Sequence, residues 1–345
     1  RPYLAGVAGP PRRAGSVGDA LSLAGGEPTR LVVWGDGEAV RAAVAPATGM
    51  TAVQAEDGFL RSVGLGAAFV APASLVFDDE GIYYDPNGPS RFERLARETV
   101  FDADLVARAK GLRETIVARR LSKYNDAPDE RLDLPRDRLR ILVPGQVEDD
   151  ASIRRGSPVV TTNAELLRRV RERWPDAFIV YKPHPDVHAG YRRGIVPDEV
   201  VGRLADRMVT DVSMSSLLAM VDRVETMTSL TGFEALLRGL AVATHGLPFY
   251  AGWGLTDDAL TVARRDRRLG LDELVAVTLI LYPRYVDPVT RLPCPVETIV
   301  ERLGEARDAP RRLAARLADR LRHDVAWAAH RLLFPLGRLV GLRRR

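Results

Sequence analysis

Three carboxylates stand side by side in the middle of the chain, directly after an apolar run. The run RILVPG ends at Gly145, and the segment GQVEDDASI that follows it contains Glu148, Asp149 and Asp150. Adjacent negative charges repel one another and gain nothing from packing, so the cluster is a candidate for chemistry. Its place after a predicted strand makes all three acids candidate site residues, but it does not indicate which of them is functional.

A second acidic group, EDGFLRS, lies in the N-terminal part of the chain. Glu56 and Asp57 are able to bind sugar hydroxyls or to act as bases, and Arg61 can hold a carboxylate with two parallel hydrogen bonds. The alternative is a set of solvated loop charges with an internal ion pair.

The segment KPHPD encloses a histidine between two prolines. An imidazole held by rigid neighbours suits a phosphate ligand or a proton donor, and Lys182 beside His184 adds positive charge for an anion. The alternative is an ordinary loop histidine in a proline-rich turn.

The segment SLTGFEALLRG predicts a helix with a marked start and end. Ser229, Thr231 and the free N–H groups of the first turn are able to bind an anion. Thr231 and Glu234 also have capping-box spacing, and Gly239 stands where a helix end favours positive φ. A well-capped helix without a ligand therefore stays open as the alternative.

The segment LPFYAGWGLTDD (247–258) contains aromatic residues among glycines and is predicted to be a loop. Such residues often form an exposed stacking surface for a sugar or a base. They are equally compatible with a small core beneath a long loop.

These candidates need elements that bring them together. The first third predicts strands at 30–35, 51–54, 67–71 and 74–79, followed by helical periodicity over 92–125 with a break near Phe101. The segment 126–138 is rich in proline and charge and predicts a linker. Strands and helices then alternate through RILVPG, the helix AELLRRVRERW capped by Asn163, AFIVYKPH, SMSSLLAMV, RVETMT, LTGFEALLRG and LAVATHG.

Alternating strands and helices indicate a parallel sheet covered on both faces, in which ligands collect at the carboxyl ends of the strands. The acids after RILVPG, His184 after FIVY, Ser229 after VETM and His245 after LAVAT all fall at such ends. This coincidence of position predicts a site in the second half of the chain.

Composition excludes several classes of protein. The single cysteine, Cys294, rules out an intramolecular disulfide framework and argues against a cysteine-based metal site. Neither a membrane-spanning apolar run nor a signal peptide is present, which favours the cytoplasm. The net charge of +4 is too small to indicate nucleic-acid binding.

Positive charge is concentrated at the C-terminal end. Residues 311–345 contain ten arginines and two acids, which is a charge of +8 and leaves −4 for residues 1–310. The segment is amphipathic as well as basic. It suits an anionic membrane surface, or a terminal helix docked on the protein with a solvated basic face.

Seven segments occur in an order typical of one family: EDGFLRSVGLG, SLVFDDEGIYYDP, LSKYN, GQVEDDASI, KPHPDV, SLTGFEALLRG and PFYAGWGLTDD. With YPRYVDPVTRLPCPVETIVERL near the end, the match spans about residues 30 to 303. On these motifs the chain resembles one module of the bacterial capsule polysaccharide proteins of the KpsC type, which are retaining β-Kdo glycosyltransferases. The best-known members carry two such modules in tandem, whereas this sequence has one.

The resemblance implies an α/β, GT-B-like fold of two Rossmann-like domains facing a central cleft. We expect an acceptor-side domain over residues 1–135, a donor-side domain over 136–300 and a basic helical tail over 301–345. The donor would be CMP-Kdo, without a metal or other cofactor, and the acceptor a Kdo-terminated glycolipid at the inner membrane. The rivals are a GT-B transferase for another nucleotide sugar and a non-catalytic capsule-assembly module.

The resemblance also implies roles for the candidate residues. Counted along the family motif, Asp150 takes the place of the nucleophile that forms a glycosyl-enzyme, and Asp149 and Glu148 fall on variable positions. His184 would contact the CMP phosphate and protonate the leaving group. The remaining assignments place Gln146, Lys182, Ser229, Thr231 and Glu234 at the donor, Arg61 at a sugar carboxylate, and Glu56 or Asp57 as the base for the acceptor hydroxyl.

Overall fold

The computed structural model describes residues 12, 14–35, 37–44, 49–60, 72–123 and 130–308. Several predicted features lie outside these residues: Arg61, the strand at 67–71, the first part of the linker at 126–129, and the basic tail at 311–345.

The second half of the chain forms the parallel sheet that its pattern predicts. Its strands are β4 (Arg140–Pro144), β5 (Phe178–Lys182), β6 (Arg207–Met208), β7 (Arg223–Thr226), β8 (Ala241–Thr244) and β9 (Asp257–Asp258). All six pair in parallel, in the order β6-β5-β4-β7-β8-β9. Ile141, Leu142 and Val143 are fully buried, because helices cover both faces of a parallel sheet.

The first half of the chain forms a smaller and mixed sheet. Its strands are β1 (Thr29–Trp34), β2 (Met50–Asp57), β3 (Ser74–Asp78) and β10 (Pro283–Tyr285), in that order. β1 and β2 are parallel, but β3 runs antiparallel to both β2 and β10. The described part of this sheet therefore departs from the all-parallel, Rossmann-like arrangement expected for the N-terminal domain.

The last strand of the first sheet comes from the far end of the chain. Pro283 pairs with Val76, and Tyr285 with Ser74. A division of the chain at residue 136 does not anticipate this return, since it assigns 283–285 to the second domain. The sequence contains no signal for the pairing, because the two strands lie about two hundred residues apart.

The helices of the described residues precede, separate and follow these strands. They are α1 (Val17–Ala24), α2 (Glu38–Val44), α3 (Arg91–Glu98), α4 (Ala103–Ala118), α5 (Ala151–Gly156), α6 (Asn163–Arg173), α7 (Pro185–His188), α8 (Asp198–Leu204), α9 (Met214–Leu218), α10 (Leu230–Leu237), α11 (Leu271–Val275), a π-helix (Ala276–Leu281) and α12 (Val296–Asp308). None of the helices described is long and apolar enough to cross a membrane.

Helix starts show where the sequence reasoning was right and where it slipped. The predicted break near Phe101 is confirmed: α3 ends at Glu98 and Asp102 caps α4, its side chain accepting from the N–H of Leu105 at 2.8 Å. The cap assigned to Asn163 is wrong by one residue. Thr162 is the N-cap of α6, because its hydroxyl rather than the Asn163 amide accepts from the first turn.

The aromatic segment 247–258 belongs to the core. Tyr250 and Trp253 are fully buried, and Phe249 packs against Phe59 with a ring-centroid distance of 4.7 Å. Of the two interpretations of this segment, the structure supports the core and not an exposed stacking surface. Phe59 lies just after β2, so this aromatic cluster joins the two halves of the chain.

Candidate functional site

The order of the parallel sheet itself singles out one position. From β4 the chain builds outwards through β5 and β6, and it then returns to build β7, β8 and β9 on the other side. Loops that leave β4 and β7 in opposite directions open a crevice between them, where ligands of such sheets bind. A cavity of about 540 Å³ lies there, lined by residues of both halves of the chain.

Nine of the ten residues predicted for the site line this cavity: Glu56, Asp57, Gln146, Asp150, Lys182, His184, Ser229, Thr231 and Glu234. The tenth, Arg61, lies outside the described residues. Positions separated by up to 178 residues thus meet in one place. Strand-end positions in the second half contribute most of them, as the parallel-sheet argument requires.

The structure separates the three adjacent carboxylates. Asp150 lines the cavity, whereas Asp149 is exposed and pairs with Arg192 at 3.3 Å. Glu148 accepts a hydrogen bond from the N–H of Asn163 at 2.8 Å and so fastens the start of α6. One member of the cluster is therefore available for chemistry in the cavity, and the other two support the loop.

Asp150 is held in a fixed orientation as the N-cap of α5. Its Oδ1 accepts from the N–H of Ser152 at 3.0 Å and from the Ser152 hydroxyl at 2.8 Å. Both bonds fall on the same oxygen, so among the described residues Oδ2 makes no hydrogen bond. A carboxylate fixed at one oxygen and open at the other has the geometry of a nucleophile or a base.

The side chain of Gln146 makes its hydrogen bonds to other residues of the protein. Its Oε1 accepts from the N–H of Thr228 at 3.0 Å and from the hydroxyl of Thr226 at 3.2 Å, and its Nε2 donates to the Thr228 hydroxyl at 2.9 Å. These bonds tie the loop after β4 to the loop after β7. The side chain assigned to donor binding is thus engaged in holding the two walls of the crevice together.

His184 is positioned by its own helix start. Its Nδ1 accepts from the N–H of Asp186 at 3.2 Å, so the neutral ring carries its proton on Nε2. Burial, opposed by the charge of Asp186 and aided by that of Lys123, lowers the pKa of His184. The imidazole is therefore mainly neutral near pH 7 and presents an N–H donor.

Ser229 and Thr231 mark the start of α10 in the wall that faces Asp150. The predicted capping box is wrong in register: Ser229 is the N-cap, and its Oγ accepts from the N–H of Thr231 at 3.2 Å. Tyr250 donates its hydroxyl to the Ser229 carbonyl at 2.5 Å and fixes the turn from below. The predicted positive φ of Gly239 at the other end is confirmed at 74°.

Glu56 and Asp57 close the cavity from the first sheet, at the end of β2. Burial, together with the negative charges of Asp57 and Asp150, raises the pKa of Glu56 although the N–H of Asp57 and the charge of Lys123 oppose it. Tyr83, which also lines the cavity, is half-buried, and burial raises the pKa of its phenol well above the usual range. A carboxyl with a raised pKa exchanges protons more readily near neutral pH, as a general acid or base must.

Glu234 is engaged by the backbone. Its Oε1 accepts from the N–H of Lys123 at 2.8 Å. Burial is the main cause that raises the pKa of this carboxyl, against the charges of Arg238 and Lys123. The contact joins α10 to the segment 119–123 that follows α4, which we call the basic segment because it contains Arg119, Arg120 and Lys123.

The lining residues that the sequence reasoning missed as site candidates include Arg120, Lys123, Ser213, Ser215 and Arg307. Lys123 belongs to the LSKYN motif, so a signal for it existed. Arg120 follows α4, Ser213 and Ser215 belong to the start of α9, and Arg307 lies in the last turn of α12, positions where a polar residue is usual and gives no warning.

His245, the remaining candidate at a strand end, makes its contacts within the protein and does not line the cavity. His245 donates to or accepts from the buried Glu225 carboxylate at 2.7 Å, and Glu225 also accepts from Arg223 and from the indole of Trp174. Burial raises the pKa of Glu225, but these three hydrogen bonds outweigh it and the net pKa is lowered.

Comparison with known proteins decides the family. A family model described as capsule polysaccharide biosynthesis protein matches residues 29–285. The chain belongs to this family. The resemblance drawn from the sequence motifs is thereby confirmed.

Several curated relatives and solved structures are similar. The capsule polysaccharide modification protein LipA of Neisseria meningitidis serogroup A is 47% identical over 272 residues, which cover 79% of this chain and 39% of LipA. The lipopolysaccharide-processing protein LpsZ of Rhizobium meliloti is 44% identical over 302 residues, covering 85% of this chain and 68% of LpsZ. The chain thus spans less than half the length of LipA.

Two solved structures from Thermosulfurimonas dismutans share the fold. The KpsC β Kdo 2,7 transferase superposes with a TM-score of 0.70 at 38% identity, covering 86% of this chain and 91% of that structure. The KpsC β Kdo 2,4 transferase gives 0.71 at 35% identity, covering 79% and 86%. Both matches confirm the α/β fold with its parallel sheet.

Proposed function

We propose that this chain is a retaining β-Kdo glycosyltransferase that moves Kdo from CMP-Kdo to a Kdo-terminated capsule glycolipid. The observation that carries the proposal is the meeting of Asp150, His184, Ser229 and Glu56 in one cavity between the two sheets. The similarity to two Kdo transferase structures supports the sugar. On this proposal the two sheets are the halves of a GT-B-like enzyme, with the donor on the side of the parallel sheet.

The donor phosphate would lie between His184 and the start of α10. The Nε2–H of a neutral His184, the Ser229 side chain and the first N–H groups of α10 are donors suited to a phosphate oxygen. Lys182 lines the same region, and its ammonium also donates to the carbonyl of Thr210 at 2.9 Å. We propose that these donors supply the positive potential at the phosphate, without a metal.

The proposed reaction has two displacements. Oδ2 of Asp150 attacks the anomeric carbon, the bond from that carbon to the phosphate oxygen breaks, and CMP departs with the electron pair. The acceptor hydroxyl then attacks the same carbon from the opposite face while Glu56 takes its proton, and the bond to Asp150 breaks. Two inversions give net retention.

Intact-mass measurement with CMP-Kdo generated in place tests the nucleophile. We expect an adduct of one Kdo on the unaltered protein and on Asp149→Asn, because Asp149 points away from the cavity and pairs with Arg192. Asp150→Asn should carry none. An adduct that persists on Asp150→Asn would refute the assignment, and absence of CMP release with every Kdo-ended acceptor would favour a non-catalytic assembly module.

A glycolipid acceptor requires access to a membrane surface, for which we propose the basic tail. Deletion of residues 311–345 should weaken sedimentation with anionic liposomes, because each arginine adds roughly 1 kcal/mol of attraction near such a surface. Equal sedimentation of the full and shortened chains would instead indicate a tail that docks on the protein.

A further inference from the structure

The backbone of Arg120 adopts the left-handed conformation. Its φ is 52°, and in the described residues only one other non-glycine residue, Arg291 with φ 61°, has a positive value. This conformation brings the Cβ of an L residue too close to the following carbonyl oxygen, and glycine avoids the clash. The arginine at position 120 therefore makes the folded protein less stable than a glycine there would.

The position is one where glycine is the usual residue. The N–H of Arg120 bonds to the carbonyl of Val117 at 3.0 Å, and the N–H of Leu121 to the carbonyl of Ile116 at 3.0 Å. These are the two bonds of a Schellman motif, which closes α4 and places Arg120 at the left-handed position. The local backbone thus accounts for a glycine and does not account for an arginine.

The side chain, in contrast, faces the site. Arg120 and Lys123 both line the cavity between the two sheets. Lys123 is near enough to Glu56 and His184 to lower the pKa of each. The basic segment therefore brings two cationic residues of the same short stretch to the wall of the proposed active site.

The basic segment is anchored on both sides. The Leu121 carbonyl accepts from Arg238 at 3.0 Å, and Glu234 accepts from the N–H of Lys123 at 2.8 Å. Arg307 of α12 also donates to the carbonyls of Arg119 and Arg120. Because the backbone is held by α10 and α12, the segment needs no rearrangement to present its cations.

We infer that Arg120 is a substrate-recognition residue that binds, with Lys123, an anionic group of the substrate. The inference rests on the proposed function, which supplies two such groups: the phosphate of the nucleotide and the carboxylate of the sugar acid. A guanidinium fork fits either with parallel hydrogen bonds. The cost of the left-handed backbone is then explained by a gain in binding.

The variant Arg120→Gly separates the two effects. It removes the guanidinium and at the same time relieves the backbone, so we expect a Tm equal to or above that of the unaltered protein. Affinity for one anion should fall roughly tenfold to a hundredfold, the usual cost of losing a charged hydrogen bond. Arg291→Gly is the matched control, since Arg291 is exposed and does not line the cavity; it should relieve the backbone equally and leave all affinities unchanged.

Titrations with inorganic phosphate, CMP, cytidine and free Kdo identify the anion. A loss for phosphate and CMP, with cytidine unaffected, assigns Arg120 to the phosphate; a loss for Kdo alone assigns it to the carboxylate. Unchanged affinity for all four, or a Tm clearly below that of the unaltered protein, would overturn the inference. Failure of Kdo transfer by the unaltered protein would refute the proposed function while leaving these direct binding results in force.

Discussion

Gly232 permits a contact that fixes the floor of the cavity, and its replacement by alanine tests that role. It lies in the first turn of α10, beneath which the Tyr250 hydroxyl reaches the Ser229 carbonyl at 2.5 Å. A Cβ at Gly232 would lie 2.6 Å from Cζ of Tyr250 and closer still to the hydroxyl. Tyr250 is fully buried, so it can move aside only by displacing its neighbours.

Opposing contributions to the free energy of unfolding decide whether Gly232→Ala stabilises or destabilises the protein. Alanine gains about 0.8–1.0 kcal/mol over glycine from helix propensity. Overpacking costs about 1–3 kcal/mol, and a buried tyrosine hydroxyl left without its acceptor costs about 1–3 kcal/mol more. The sum predicts that Gly232→Ala lowers the free energy of unfolding by about 1–5 kcal/mol. CMP affinity should fall as well, because the displaced tyrosine shifts Ser229.

Equilibrium urea unfolding followed by tryptophan fluorescence measures the first effect, and CMP titration measures the second. Gly111→Ala in α4 is the matched control, since a Cβ there meets nothing within 4 Å. That control should be more stable than the unaltered protein by about 0.5–1 kcal/mol. If Gly232→Ala is as stable as the unaltered protein and binds CMP equally well, Tyr250 does not fix the Ser229 turn.

Three further substitutions test the charges and the frame. Burial favours the protonated form of Glu56, so the contribution of this carboxyl to stability is lost as the pH rises through its raised pKa. Glu56→Gln should therefore raise the free energy of unfolding, measured in urea, more near roughly pH 7 than near pH 4, and it should slow Kdo transfer. His184 has a lowered pKa and loses stability as pH falls through it, so His184→Gln should flatten the stability profile from about pH 7 to about pH 5. Gln146→Ala should cost about 2–4 kcal/mol, because the N–H of Thr228 and the hydroxyl of Thr226 lose their acceptor, and calorimetric unfolding measures it.

Much of the site could be predicted from the sequence, because residues that follow the strands of a parallel sheet all lie at the same edge of that sheet. Asp150, His184 and Ser229 each follow a buried strand closely, so the pattern of the strands was enough to predict their neighbourhood. Residue chemistry alone made Glu56 a candidate base, but only the family resemblance placed it in the same site, since it lies near the end of a strand of the other sheet. Its place in the cavity depends on packing between the two sheets, which local pattern does not encode.

The hydrogen-bond partners of the site residues could not be predicted from the sequence. Glu148, Asp149 and Asp150 have the same chemistry and adjacent positions, and only Asn163 and Arg192 distinguish the first two from the third. His245 stands at a strand end as His184 does, yet its ring bonds to Glu225. Which polar residue faces the cavity depends on side-chain direction within one turn of chain, a finer detail than strand order.

The return of β10 to the first sheet has a consequence for synthesis on the ribosome. The six-stranded sheet is complete once Asp258 has emerged, whereas the described first sheet lacks its last strand until Tyr285 follows. The half that is made first is therefore the half that is finished last. We expect the parallel sheet to fold early and to serve as a template on which the waiting strands β1–β3 close with β10.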